Sequence, residues 1–417
     1  MKVAVVGLGK IGLPLAVQYA SRGLDVTGCD VDGAKVARIS AGDCPVAGEA
    51  GLEEGLSAAL QAGRLRGTTD TAAAVAESDV VVIIVPVGLT DANAPDFSHL
   101  DAATEAIGRG LRDGALVIVE STVPVGTTRG RVGPALSTEG RKVLLAASPE
   151  RVSSGRIFQD LRTYPKLIGA VDNASWERAE AFYSKALEAP CLTRLRDPET
   201  AEFAKLAEGI YRDVNIALAD ELARYADALG IDITEVIGAA NSQPYSHLHQ
   251  PGVGVGGHCL PVYPHFLPSD AGLRLPALAR EINDSMARYA VERLETVLDT
   301  LARSTVLILG LAYRPNVKEA SHSSALLLDA ALRERGARPL VHDPWFSAEE
   351  IRALGLEPAG ELDGAPVDAV IVQAWHDAYR GLDWRSLRGC RAVLDGRNTV
   401  DRAAVEAAGL RYLGIGR

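Results

Sequence analysis

Two widely separated features of this 417-residue chain could do chemistry, a cysteine and a glycine-rich turn. Cys259 closes the run Gln250-Pro251-Gly252-Val253-Gly254-Val255-Gly256-Gly257-His258-Cys259. Four glycines ahead of the sulfur leave little bulk around it, so a ligand can come close. A thiolate there can attack an aldehyde, and the thiohemiacetal that forms can give up a hydride. Near the N-terminus, Gly7-Leu8-Gly9-Lys10-Ile11-Gly12 has GxGxxG spacing, and Asp30 follows 18 residues past Gly12. Such a turn lets a pyrophosphate sit against a helix N-terminus while the acid takes the ribose hydroxyls. Asp30 would repel a 2′-phosphate, so the cofactor expected is NAD rather than NADP. A hydride acceptor and a thiol able to hold an acyl group are the parts needed to oxidise an alcohol to an acid.

Other polar residues accompany these two. Lys205, Gly209 and Arg212 fall at i, i+4 and i+7 of a helical pattern, with Glu208 and Asn215 beside them. A solvated face is the plain reading of such a stripe. Gly209 argues for a ligand, because glycine inside a helix costs about 1 kcal/mol against alanine. Ser148-Pro149-Glu150-Arg151 follows a predicted strand, where sheets of this class place ligands. Glu150 is there either a general base or a loop carboxylate. A zinc site built from His247, His249, His258 and Cys259 fits none of the usual ligand spacings, so no metal is expected.

The elements that must position these residues read as two sheets joined by helices. Residues 2–6 form a short buried strand, Ile11–Arg22 an apolar helix, and Val26–Asp30 a second strand. Val80–Val85, Leu116–Glu120 and Val143–Ala147 read as further parallel strands, which predicts a doubly wound α/β sheet. At Asp197-Pro198, an N-cap followed by a residue suited to the first helical turn, the pattern changes. Apolar residues Phe203, Leu206, Ile210, Val214, Ala217, Leu218, Leu222, Tyr225 and Leu229 then recur at helical spacing until Gly230. At 1.5 Å per residue this rod is roughly 45 Å long, more than one domain needs for its own packing. A second long helix is predicted over about Pro276–Ala302. From Thr305 the alternation restarts, with strands at Val306–Gly310, Leu340–His342, Ala369–Gln373 and Ala392–Leu394. This half has no GxGxxG. The fold expected is therefore two Rossmann-like, doubly wound domains (1–196 and 304–417) joined by a helical centre (197–303).

Composition sets outer bounds. Hydrophobic residues make up 47% and charged residues 23%, which is ordinary for a globular protein. A formal net charge of −11 argues against nucleic acid as the main partner but leaves room for an anionic small molecule. No apolar run reaches the ~18 residues of a membrane span, and Met1-Lys2 leads into a strand with no signal-peptide pattern. Cys29, Cys44, Cys191, Cys259 and Cys390 are odd in number and widely spaced, which suits reduced thiols in a cytoplasm.

Together these features resemble the nucleotide-sugar 6-dehydrogenases that act on UDP-glucose and GDP-mannose, and most closely the UDP-N-acetylhexosamine branch. The resemblance covers almost the whole chain. It rests on GLGKIGLP (7–14), ESTVPVGTTR (120–129), SPERV (148–152), KLAEGIYRDVNIALADEL (205–222), PGVGVGGHCLPV (251–262) and GLAYRPN (310–316). It implies an N-terminal NAD domain, a helical dimerising centre and a C-terminal domain for the nucleotide of a UDP-linked sugar. By position, Cys259 would trap the aldehyde and form the thioester, Lys205 would stabilise the oxyanion, Glu150 would activate water, and Thr122 would hydrogen-bond that water. Gly7, Gly9, Lys10, Ile11, Gly12, Asp30 and Thr122 would hold NAD. Arg151, Arg212, Gly256, Gly257 and Arg314 would join Glu150 and Lys205 around the substrate. The chain would oxidise a C6 alcohol to a carboxylate in two hydride transfers, as a homodimer or a larger assembly of dimers, in polysaccharide biosynthesis.

Five positions depart from the family pattern. Tyr263 stands where an aspartate usually organises the water and lysine, and Gly209 where an asparagine is usual. Tyr245 replaces an arginine that reaches toward substrate across the subunit interface. Arg314 replaces a lysine, and Lys318-Glu319-Ala320-Ser321-His322-Ser323 replaces an Asp-Asp-x-Arg-Glu-Ser run, so that Ser321 stands for the arginine expected at the cofactor pyrophosphate. These changes bear on the substrate and on the hydrolytic half-reaction. Two rival readings follow: a diverged oxidoreductase on a modified nucleoside or nucleotide sugar, which could release the aldehyde, and a catalytically impaired protein that keeps the nucleotide pockets.

Overall fold

The computed structural model describes residues 1–137, 140–188, 191–268 and 272–417. By internal contacts the chain divides into two compact units, Met1–Glu208 with His265–Pro268, and Gly209–Pro264 with Ser269–Arg417.

The strands run β1 (Lys2–Val6), β2 (Asp25–Cys29), β3 (Leu65–Thr68), β4 (Val80–Ile83), β5 (Gly88–Leu89), β6 (Pro95–Asp96), β7 (Leu116–Val119), β8 (Leu144–Ala147), β9 (Lys166–Ala170) and β10 (Leu192–Leu195) in the first unit. Eight of them form one sheet in the order β10-β9-β8-β7-β4-β1-β2-β3, and β5 pairs with β6. Val3, Val5, Val80, Val82, Leu116 and Ile118 are fully buried, as expected for central strands covered on both faces. The order reverses between β1 and β4, which opens a crevice at their carboxyl ends. Helix Gly12–Ser21 starts there, and nine of its ten residues are buried. The sheet departs from the expected all-parallel form at one place: β8 and β9 are antiparallel.

The second unit carries β11 (Thr305–Leu309), β12 (Arg338–His342), β13 (Ala369–Val372), β14 (Ala392–Asp395) and β15 (Arg411–Gly414), in the order β12-β11-β13-β14-β15 and wholly parallel. Its switch point lies at β11, directly before the loop that carries Arg314. In that loop the amides of Leu311 and Ala312 donate to Asp343, each at 2.8 Å, so this turn is held by a buried acid from the end of β12.

The long helix spans Pro198–Leu229. Asp197 caps it, accepting from the Thr200 amide at 2.9 Å. Gly230, at φ +68°, ends it in the left-handed conformation that helix C-termini favour. Its apolar residues do not form one buried stripe. Leu206 and Ala217 are buried, whereas Phe203, Leu218, Tyr225 and Leu229 are exposed, with Tyr211 in line with them. Acids take part of the inward face instead: Glu202, Asp213 and Asp220 are fully buried.

Candidate active site

The turn after β1 is shaped for a pyrophosphate. Gly7 adopts φ +102°, and a Cβ there would lie 2.5 Å from the Ile84 carbonyl oxygen. A Cβ on Gly12 would lie 1.8 Å from the Gly7 oxygen, so both positions require glycine. A Cβ on Gly9 would meet nothing within 4 Å, and this is the side on which a ligand can approach. Ile11 supplies no side-chain cap to the helix that follows; the Leu13 amide turns back to the Gly9 carbonyl at 3.1 Å, and Pro14 has no amide hydrogen, so the helix N-terminus itself faces the turn. Lys10 is exposed at the turn.

Asp30 lies at the end of β2, where its Oδ2 accepts from the Leu8 amide at 2.9 Å and its Oδ1 from the Asp32 amide at 3.0 Å. Sequence reasoning missed its partner Lys35, whose ammonium donates to Oδ2 at 2.9 Å. Burial works against the Asp30 charge, but Lys35 and the two amides outweigh it and hold the carboxyl below its ordinary range. These features fit NAD: a built glycine turn at a helix N-terminus, and a charged acid at the end of the next strand.

In the same unit Glu150 does not stand alone. Its Oε2 lies 2.7 Å from the Lys166 ammonium, which also reaches Glu120 at 3.0 Å. All three side chains are buried. Tyr19 and Tyr183 both donate to the other oxygen of Glu120, at 3.0 and 2.5 Å. Burial opposes the Glu150 charge, yet Lys166 together with the Arg151 amide carries the carboxyl below its ordinary value. Burial dominates at Glu120, which is pushed up. A cleft lined by Glu150, Arg151, Asp160, Tyr164, Pro165 and Lys166 opens beside the pair. Arg151, expected near substrate, holds Glu208 with two guanidinium nitrogens, at 3.1 and 3.0 Å. Thr122 is half-buried in a loop whose far end is fixed by Glu202, which accepts from the Gly126 and Thr128 amides at 2.6 and 2.7 Å. Lys205 is half-buried on the long helix, two turns before the exposed Arg212.

In the second unit Cys259 is a half-buried cysteine outside any disulfide. Its carbonyl accepts from the Val262 and Tyr263 amides at 3.1 and 2.9 Å, which puts it at the head of a turn. The glycines before it serve packing more than exposure of the sulfur, contrary to the sequence reading. A Cβ on Gly256 would lie 2.8 Å from both the His322 carbonyl oxygen and Tyr313 Cβ. Gly257, at φ +96°, lies against the Tyr313 ring and donates to the Ser321 carbonyl at 2.8 Å. Upstream, the Gly252 amide donates to buried Asp220 at 2.8 Å, and burial raises that carboxyl to about 7. Gly209 and Tyr263 also prove to be one feature. A Cβ on Gly209 would meet the Tyr263 ring at 3.4 Å, ordinary van der Waals contact, so the ring stands beside the path of any longer side chain there. Tyr245 is 92% exposed, and Arg314 donates to the Tyr313 hydroxyl at 3.1 Å. Among the described residues, no three His, Cys, Asp or Glu side chains are placed to hold a metal ion.

Comparison with known proteins identifies the family. Residues 1–187 match the NAD binding domain of the UDP-glucose/GDP-mannose dehydrogenase family, residues 199–285 its central domain, and residues 307–402 its UDP binding domain. The chain belongs to this family. It is an NAD-dependent oxidoreductase acting on CH–OH. Two curated relatives are similar over nearly their full length. The UDP-N-acetyl-D-mannosamine dehydrogenase of Pyrococcus horikoshii is 34% identical, over 100% of this chain and 99% of that protein. The NDP-N-acetyl-D-galactosaminuronic acid dehydrogenase of Ralstonia nicotianae is 33% identical, over 95% of each. Among solved structures, a UDP-glucose dehydrogenase from Pyrobaculum islandicum superposes with a TM-score of 0.89 at 33% identity, over 100% of this chain and 97% of that one. No helix among the described residues is long and apolar enough to cross a membrane.

Proposed function

We propose that this dehydrogenase oxidises the C6 alcohol of a UDP-N-acetylhexosamine to the uronate, through a covalent intermediate on Cys259. The observation that carries the reading is the half-buried cysteine Cys259 at a turn head, in a chain similar along its whole length to dehydrogenases named for N-acetylhexosamines. NAD, when bound, accepts the hydride in each of the two oxidation steps. The protein does the rest. Asp30 orients the ribose, and Gly7, Gly9, Lys10, Ile11, Gly12 and Thr122 line the cofactor. The Cys259 sulfur attacks the aldehyde carbon, while the Lys205 ammonium stabilises the oxyanion. Arg151, Arg212, Gly256, Gly257 and Arg314 hold the nucleotide sugar. Glu150 draws a proton from water for hydrolysis of the thioester, and Thr122 hydrogen-bonds that water.

In this account hydrolysis is the weak half. A carboxyl held below its ordinary range by Lys166 is a poor base, and Tyr263 supplies no carboxylate to help it. The same observation favours the second reading, release of the aldehyde after one oxidation. We further assign residues 1–196 to the cofactor, 197–303 to dimerisation and 304–417 to the nucleotide. Exposed Tyr211, Leu218 and Tyr225, seven residues apart on one helix, support a homodimer. Five cysteines outside any disulfide support a reducing cytoplasm. The test of the covalent step is Cys259→Ser: acid formation should stop while NAD binding survives, and full acid production by the variant would refute it.

A further inference from the structure

The cysteine loop and the loop after β11 are laced together, and the lacing puts a second ionisable pair beside the thiol. The Gly257 amide binds the Ser321 carbonyl at 2.8 Å, and the Tyr313 amide binds the Glu319 carbonyl at 2.9 Å. Between these two ties, the His258 Nδ1 lies 2.7 Å from the Glu319 Oε1. The Glu319 side chain is only 7% exposed, whereas the imidazole is 47% exposed. Cys259 is the next residue in the chain, and its side chain is the largest influence raising the His258 pKa. Thus the groups facing His258 are the sulfur from its own loop and a buried carboxylate from the adjoining one.

We propose that His258 and Glu319 form a dyad that takes the proton of the Cys259 thiol and holds the sulfur as a thiolate near neutral pH. The S–H bond breaks and an imidazole N–H forms, while the Nδ1–H stays donated to Glu319. No oxidant or co-reactant takes part. The arrangement follows a general pattern in which a neighbouring imidazolium lowers a thiol's pKa and a carboxylate orients the ring. Its electrostatics agree in direction. The Cys259 side chain, followed by the hydrogen bond with Glu319, pushes the His258 imidazolium up to about 10. His258 is therefore the base for the thiol, and Glu319 is the positioning residue that acts through it.

The inference deepens the reading of Cys259 as nucleophile, but its test needs no substrate. The full-length protein is alkylated with iodoacetamide from pH 5.5 to 9.5, and the Cys259 peptide is followed by mass spectrometry, so the other four thiols do not contribute. An ordinary thiol with pKa about 8.5 is about 1% ionised at pH 6.5, against half or more for a paired one. His258→Asn should therefore slow alkylation at pH 6.5 by about 50-fold and move the profile to that of a free cysteine. Glu319→Gln should shift it less, in the same direction, and Glu319→Asp should restore part of the wild-type profile. NAD binding and near-ultraviolet circular dichroism check that each variant is folded. One shared profile for wild type, His258→Asn and Glu319→Gln would overturn the dyad, as would a wild-type profile centred near pH 8.5. Acid formation by Cys259→Ser, in contrast, would sink the nucleophile and leave the dyad standing.

Discussion

Replacing Lys166 with methionine removes the cation shared by two buried carboxylates. The ammonium lies 3.0 Å from Glu120 and 2.7 Å from Glu150, and each of the three side chains is less than one-tenth exposed. Methionine preserves most of the apolar stem, so the loss is chiefly electrostatic. Breaking a buried pair by removing one partner costs about 3–5 kcal/mol. A second carboxylate adds to that cost, whereas the Tyr19 and Tyr183 hydroxyls on Glu120 and the Arg151 amide on Glu150 offset part of it. A loss of about 4 kcal/mol corresponds to a Tm lower by about 10 °C, at about 2–4 °C per kcal/mol for a unit of this size. Calorimetry on wild type, Lys166→Met and the Glu120→Gln/Lys166→Met pair measures it, and the double variant should recover part of the deficit. The pH dependence has a definite sign. In wild type the lowered Glu150 pKa contributes stability above the unfolded carboxyl value of about 4.3, and that is lost as pH falls through the folded value. In Lys166→Met the carboxyl pKa values rise, so the variant's deficit should shrink below about pH 5. A Tm within about 2 °C of wild type at neutral pH would refute the view that Lys166 compensates both acids.

Further outcomes follow from other contacts. Asp30→Ala should weaken NAD binding and improve NADP binding, because Lys35 loses its partner and becomes available to a 2′-phosphate; calorimetric titration with both cofactors reads this, and an unchanged ratio would contradict it. If thioester hydrolysis is slow, rapid mixing should give a burst of NADH that scales with enzyme, and a linear trace would count against it. Tyr263→Asp should then raise the steady rate. Gly209→Asn should destabilise the wild-type background by about 1–3 kcal/mol through overpacking, and clearly less in the Tyr263→Asp background; equal losses would show that the two positions are independent.

Much of the scaffold could be read from local pattern. The apolar run of β1, the glycine turn and the capped long helix each announce themselves within a few residues, and the structure places them at Lys2–Val6, Gly12–Ser21 and Pro198–Leu229. Strands β3, β9, β10 and β15 escaped, because Leu65–Thr68, Leu192–Leu195 and Arg411–Gly414 are short and polar-rich, and Lys166 opens β9 with a charge. The buried acids of the long helix were illegible for a related reason. Asp213 and Asp220 look like a solvated face until Arg280 and the Gly252 amide arrive from distant segments. In the site, type and spacing were enough to single out Cys259 and the NAD turn. Lys166 on Glu150, Lys35 on Asp30 and Glu319 on His258 were missed. Of these, Lys35 carried a signal, since a lysine five residues after the acid falls on the first turn of the next helix. The others join segments 16 and 61 residues apart, which periodicity does not reach.

The central claim is a two-step oxidation at one site, and the number of NADH formed per sugar consumed tests it most directly. With UDP-N-acetylmannosamine, UDP-N-acetylgalactosamine and UDP-N-acetylglucosamine each limiting and NAD in excess, NADH absorbance at completion is compared with the uronate measured by mass spectrometry. The account predicts two NADH for every nucleotide sugar converted, with the carboxylate as the only end product for the substrate that turns over. One NADH per sugar with free aldehyde in solution would contradict it, and so would stabilisation by these nucleotides without any NADH.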